Sequence, residues 1–179
     1  MNDQSNNKIN EITNPLALKS IGWNPTRHKF VSPSVQGFTW SNDHLEAAEC
    51  PVDKEHKPPE GNCSCGLYAT YDLWLAKAYN IEESFLNVML LVEASGKTCM
   101  HELGYRTEEM RIVAALLMNN RDNYPNIAAH QAADYFSVPI LSVIAGVRVM
   151  NTMNAVILPY YQERKIHENY YRKESVNES

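Results

Sequence analysis

The stretch CPVDKEHKPPEGNCSCGLYATYDLW, residues 50–74, holds three of the chain's four cysteines, a histidine and three prolines. Cys50, His56, Cys63 and Cys65 form C-x5-H-x6-C-x-C, four soft or borderline donors in sixteen consecutive residues. Zinc asks for four such donors in a tetrahedron at about 2.0–2.3 Å, and a Pro- and Gly-rich loop can wrap around one ion. Four protein ligands leave no open position for water, so such a site is structural. It would fix the path of the loop and the start of the segment that follows.

The spacing is not the common pair of CxxC knuckles, and two other readings stand beside the metal. The plainer one makes Cys50 and Cys63 small buried apolar residues, Cys65 a helix-start residue, and His56 a solvated side chain beside Lys54, Glu55 and Lys57. The other is catalytic. Cys65 lies just before Gly66 and an expected helix start, where the macrodipole lowers a thiol pKa. His101, on an expected strand, would be its general base, with Glu102 or Arg106 positioning substrate, as in thiol-dependent hydrolases and transferases. A zinc-bound Cys65 cannot also be that nucleophile.

The N-terminus, MNDQSNNKINEITN, lacks the charged-then-apolar order of a secretory signal, so a cytoplasmic location is expected. In a reducing compartment four cysteines are better read as thiols or metal ligands than as disulfides. The longest apolar run, SVPILSVIAGVRVM at 137–150, is too short and interrupted to span about 30 Å of hydrocarbon, so no membrane is expected. A net charge of -5 argues against broad nucleic-acid binding, which needs clustered Lys and Arg. Another protein is the expected partner.

With 179 residues, 44% of them hydrophobic, the chain can bury one domain core. Residues 1–14 read as a disordered arm, 15–146 as a single domain, and 147–179 as an amphipathic then charged tail with frayed last residues. Trp23, Phe30, Phe38 and Trp40, spaced by Pro, Gly and Ser, predict short strands. Leu67, Tyr71, Leu75 and Ala78 predict a first helix capped by Ser64 or Gly66. FLNVMLLVEASGKTCMHE predicts a hairpin turning at residues 94–97. Met110, Val113, Ala114 and Leu117 predict a second helix capped by Thr107, and NIAAHQAADYFSVPIL a third that runs into a strand at 138–141 entered through Pro139. The fold class expected is α+β, a small antiparallel sheet with about three helices and a Cys/His loop.

HELGYRTEEM, residues 101–110, concentrates His101, Glu102, Tyr105, Arg106 and Glu108 at what reads as a strand-to-helix junction. Such a rim can line a pocket for a small anionic or polar ligand, or meet a partner. The plainer reading gives Gly104 the turn, Glu108 and Glu109 the helix N-terminus, and Arg106 an ion pair. Tyr160, Tyr161, Tyr170 and Tyr171 are further candidates for partner contact.

Taken together, Gly22-Trp23, Trp40, AAEC ending in Cys50, His56-Lys57-Pro58-Pro59, CSCGLYA, HELGYRTEE and AADYFSVPI resemble the frame of an uncharacterised bacterial family frequent in actinobacteria and on mobile elements. The resemblance covers roughly residues 18–141, with Thr107 where that frame has Ala. It implies that Cys50, His56, Cys63 and Cys65 act as one unit and that Glu102, Tyr105, Arg106 and Glu108 act as another, in a phage or plasmid setting. It implies no reaction. The resulting expectation is a non-enzymatic binding or adaptor protein with a zinc-clipped loop.

Overall fold

The computed structural model describes residues 14–32, 39–43, 45–60, 63–78, 86–118 and 124–174, with 124–125 and everything from 160 onward as backbone only. The arm expected at 1–14 lies outside these residues except for Asn14, whose backbone N–H donates to Glu93 Oε1 at 3.1 Å. The side chains of Tyr160, Tyr161, Tyr170 and Tyr171 are likewise outside them.

The fold is α+β. Strands β1 (Leu16–Asn24), β2 (Lys29–Val31), β3 (Thr39–Trp40), β4 (Leu45–Ala47) and β5 (Leu67–Thr70) precede helix α1 (Leu73–Ala78). The long strands β6 (Leu86–His101) and β7 (Gly104–Leu117), helix α2 (Tyr124–Phe136), strand β8 (Ile140–Ser142) and helix α3 (Val143–Glu174) follow. All pairings are antiparallel except β7 with β8. β6 joins both β1 and β7, and β5 also joins both β7 and β1. The hydrogen-bonded path therefore closes into a ring of β1, β6, β7 and β5.

Over most of β1 and the first half of β6 the ring is buried on both faces. Along β6, Val88, Leu90, Val92 and Ala94 point into a cluster with Trp23, Phe30, Trp40, Tyr105 and the alanine face of α2. Met89 and Leu91 point the other way, to Leu16, Leu18, Ala76 on α1, and Val143 and Met150 on α3. A strand covered on both sides reads as a continuous apolar run rather than an alternation. This is why residues 107–117 do not form the expected helix: Met110, Val113, Ala114 and Leu117 fit a helical period, yet they lie on β7, and a short apolar run cannot be assigned by period alone. Thr107 caps nothing; it is fully buried in mid-strand. Its hydroxyl donates to Ser95 O at 2.6 Å and sits 2.9 Å from Thr98 Oγ1.

The expected hairpin turn at 94–97 is a bulge inside one strand. The β6–β7 register shifts between Ser95 and Thr98, and Gly96 takes φ +66° there. That left-handed conformation favours glycine, and a Cβ there would also press on the mobile end of Glu108, 2.9 Å from its Oε2. The turn itself is Glu102-Leu103, between His101 and Gly104. It is held from outside: Tyr71 N–H donates to Leu103 O at 2.9 Å, and so does Thr70 Oγ1 at 2.6 Å.

The first helix is also shorter than expected, because residues 67–70 pair with β7 as β5. Asp72, rather than Ser64 or Gly66, caps α1, its Oδ1 accepting from Trp74 N at 2.6 Å and Leu75 N at 3.0 Å. The third expected helix stands as α2, and Pro139 leads directly into the edge strand β8. Trp23, Phe30 and Trp40 lie on strands as expected, while Phe38 is outside the described residues. Phe30 meets Trp23 at 4.6 Å and Phe136 at 5.0 Å between ring centroids, joining β2 to α2.

α3 docks through an amide. Asn154 Oδ1 accepts from Leu16 N at 2.9 Å, and its Nδ2 donates to Leu16 O at 2.8 Å. The side chain pairs with the backbone of β1 as a neighbouring strand would. No described helix is long and apolar enough to cross a membrane.

Candidate metal centre

Between β4 and β5 the chain leaves the sheet as an irregular loop. Polar and proline-rich, it has no strand or helix period to follow, and residues 51–55 are exposed. The loop nevertheless returns four side chains to one point. The ligating atoms of Cys50, His56, Cys63 and Cys65 all lie within 4.8 Å of one another. Cys50 Sγ and Cys63 Sγ are 3.7 Å apart, against a tetrahedral S···S edge of about 3.8 Å for Zn–S bonds of 2.3 Å. His56 Nε2 lies 3.1 Å from Cys65 Sγ. Cys50 and Cys65 are buried, while His56 and Cys63 are half-buried. The four residues singled out in the sequence thus meet, and they can hold a metal ion.

The surroundings fit that role. His56 Nδ1 lies 3.3 Å from Asp53 Oδ2, the carboxylate–histidine pairing that leaves Nε2 free to ligate and fixes the ring's orientation. Asp53 N–H donates to Cys50 Sγ at 3.3 Å. Burial pushes the Cys50 thiol up, but the amides of Asp53 and Val52, the Cys63 thiol and His56 outweigh it and bring the group below its ordinary value. Burial pushes the Cys65 thiol above its ordinary value; the Cys63 and Cys50 thiols push the same way, against a backbone contact at Glu60. Crowded thiols of this kind lose their protons when a divalent cation supplies the compensating charge.

The loop is gripped by a residue the sequence assigned elsewhere. Arg106, on β7, donates Nη1 to the carbonyls of Cys63 and Cys65, the latter at 3.2 Å, and Nη2 to Glu60 O at 3.1 Å. A planar guanidinium with five donors suits such a fan of carbonyls. Glu60 also reaches Lys97 Nζ on β6 at 3.0 Å. Gly66, at φ +123°, turns the chain from the last ligand into β5 between Pro59 and Arg106, where a Cβ would meet both side chains at 3.3–3.4 Å.

HELGYRTEE is a hairpin turn and the start of a strand rather than a strand-to-helix junction, and its residues separate accordingly. His101 and Glu102 are exposed at the turn. Tyr105 is 1% exposed and belongs to the core, its hydroxyl donating to Val92 O at 3.3 Å. Arg106 holds the Cys/His loop by hydrogen bonds to carbonyls, where an ion pair was expected of it. Glu108 closes the bulge by accepting from Lys97 N at 3.1 Å. The histidine that meets Cys65 is His56, while His101 sits opposite Gly104 beside the hairpin turn. Asp53, Arg106 as loop clamp, and Asn154 were missed from sequence. Asp53, three residues before His56, carried a visible signal as an acid within reach of the histidine's free ring nitrogen.

No protein-family model, curated protein or solved structure matches the chain, so the reading of the site rests on its geometry.

Proposed function

We propose that the chain is a non-enzymatic binding protein whose loop at residues 50–66 is clipped by one structural zinc ion and whose partner is another protein. The observation that carries the zinc is the donor set, three thiols and an imidazole converging within 4.8 Å. Cys3His is a common structural zinc complement, and soft sulfur donors disfavour calcium and magnesium. With all four corners supplied by the protein, no position remains for water or substrate. The clip would hold the loop against β7 and set the start of β5.

The partner half of the reading is supported by exposed apolar side chains beside the hairpin turn. Trp74 is 78% exposed and Leu103 is 55% exposed, and Tyr71, just before α1, bonds the Leu103 carbonyl. Large aromatic side chains supply much of the binding energy of protein interfaces. The phage or plasmid setting implied by the family resemblance and a cytoplasmic location belong to the same proposal.

Elemental analysis of protein purified without added metal tests the zinc. About one zinc per chain, absent from Cys50→Ser and Cys65→Ser, is the expected result; a metal-free wild type that stays folded and ignores added zinc would refute it. For the partner, cross-linking in the source cell should give a protein adduct that Trp74→Ser removes while zinc content stays unchanged.

One observation favours a second reading. Asp53, His56 and Cys65 form a carboxylate–imidazole–thiol chain at 3.3 and 3.1 Å, the order used by thiol hydrolases. In that case the base is His56 and not His101. Burial of Cys65 and two further thiols beside it favour the metal.

A further inference from the structure

Cys50 and Cys63 face each other at 3.7 Å, and closing that gap to a disulfide of about 2.05 Å requires a local shift only. Resting on the zinc reading above, we infer that this pair is a peroxide-sensitive release for the metal. The geometry distinguishes the three ligating thiols. Cys63 is half-buried and thus the one a small oxidant can reach, whereas Cys50 and Cys65 are 3% and 6% exposed. Cys65 is engaged by His56 at 3.1 Å. Cys50 is therefore the resolving partner.

The chemistry balances with hydrogen peroxide as oxidant. The Cys63 thiolate attacks one peroxide oxygen; an S–O bond forms, the O–O bond breaks, and the departing hydroxide takes a proton to become water. The Cys50 thiolate then attacks the Cys63 sulfur. The S–S bond forms, the S–O bond breaks, and a second hydroxide leaves as water. Two thiolates lose two electrons, and peroxide with two protons gives two waters. Only Cys65 and His56 remain as donors, too few to hold a tetrahedral ion.

The sheet should survive the event. Arg106 holds the backbone carbonyls of Glu60, Cys63 and Cys65, and none of these contacts uses a sulfur. The loop stays tethered to β7 while its side chains rearrange. Cys99 lies on β6 opposite Arg106, also half-buried, outside the ligand set, and serves as an internal control.

The test titrates zinc-loaded protein with hydrogen peroxide while a chromophoric chelator reports free zinc. Peptide mapping identifies the oxidised thiols, and far-UV circular dichroism follows the fold. The expected result is release of the bound zinc in step with a loss of two hydrogens in mass, a mapped Cys50–Cys63 bond, unchanged secondary structure, and zinc rebinding after dithiol reduction. Cys99→Ser should release zinc identically. Zinc retained at peroxide levels that oxidise Cys99, or release with oxidation mapped to Cys65, overturns the switch and leaves the clip standing. A chain that holds no zinc before oxidation overturns the clip, and the switch with it.

Discussion

Replacing Lys19 with methionine should stabilise the protein at neutral pH. Lys19 lies in mid-β1, 7% exposed, between Ala17 and Ile21 of the core cluster and opposite Leu90 on β6. Burial alone brings its amine from 10.5 down to about 8. That drop is a factor of roughly 300 in proton affinity, worth about 3.4 kcal/mol at 1.36 kcal/mol per factor of ten. Below pH 8 both folded and unfolded chains carry the proton, and the folded state bears the whole cost. Between pH 8 and 10.5 the unfolded chain keeps a proton that the folded chain has shed, so stability rises with pH. Above 10.5 the cost is gone. Methionine keeps a similar length without the charge. Urea unfolding at pH 7 should therefore show the variant more stable by about 3 kcal/mol, and at pH 10 by less than about 1 kcal/mol. A variant no more stable than wild type at pH 7, or a gain that persists undiminished at pH 10, would refute the argument that Lys19 is held charged against its burial.

Asn154→Leu removes both partners of the buried Leu16 backbone, and at about 1–3 kcal/mol per orphaned group should cost about 2–6 kcal/mol in urea unfolding, with Asn154→Asp, which keeps only the acceptor, falling between. Arg106→Lys replaces a fork that spans three carbonyls with a single ammonium; zinc affinity, measured by chelator competition, should fall about 10–100-fold, as when other groups that hold ligands in place are lost, while far-UV circular dichroism stays unchanged.

The donor set was legible because its information is local. Three cysteines and a histidine within sixteen residues name their chemistry whatever the backbone does, and the structure brings those four together. β7 was not legible. Its apolar run, MRIVAALL, is buried on both sides by α2 and α3, which erases the alternation that marks a half-buried strand. The hairpin turn was misplaced for a related reason. Glu102-Leu103 has no turn chemistry of its own and is held by Thr70 and Tyr71, whereas Gly96 has the chemistry but serves a bulge. The Arg106 clamp joins residues 41 to 46 positions apart, a relation that no local pattern can carry.

That separation also sets an order of events. A chain made from its N-terminus exposes Cys50, His56, Cys63 and Cys65 well before Arg106 and the rest of β7 exist. In the nascent chain the ligands can meet an ion only as a floppy loop, which must bear the entropy of closure unaided. Once β5 pairs with β7 and the guanidinium seats, the ligands are pre-arranged and the cost of ordering is already met. Loading of the proposed metal would then be a late step, governed by contacts of high sequence separation that form slowly. A truncated chain ending before residue 106 should carry every ligand and still bind the metal poorly.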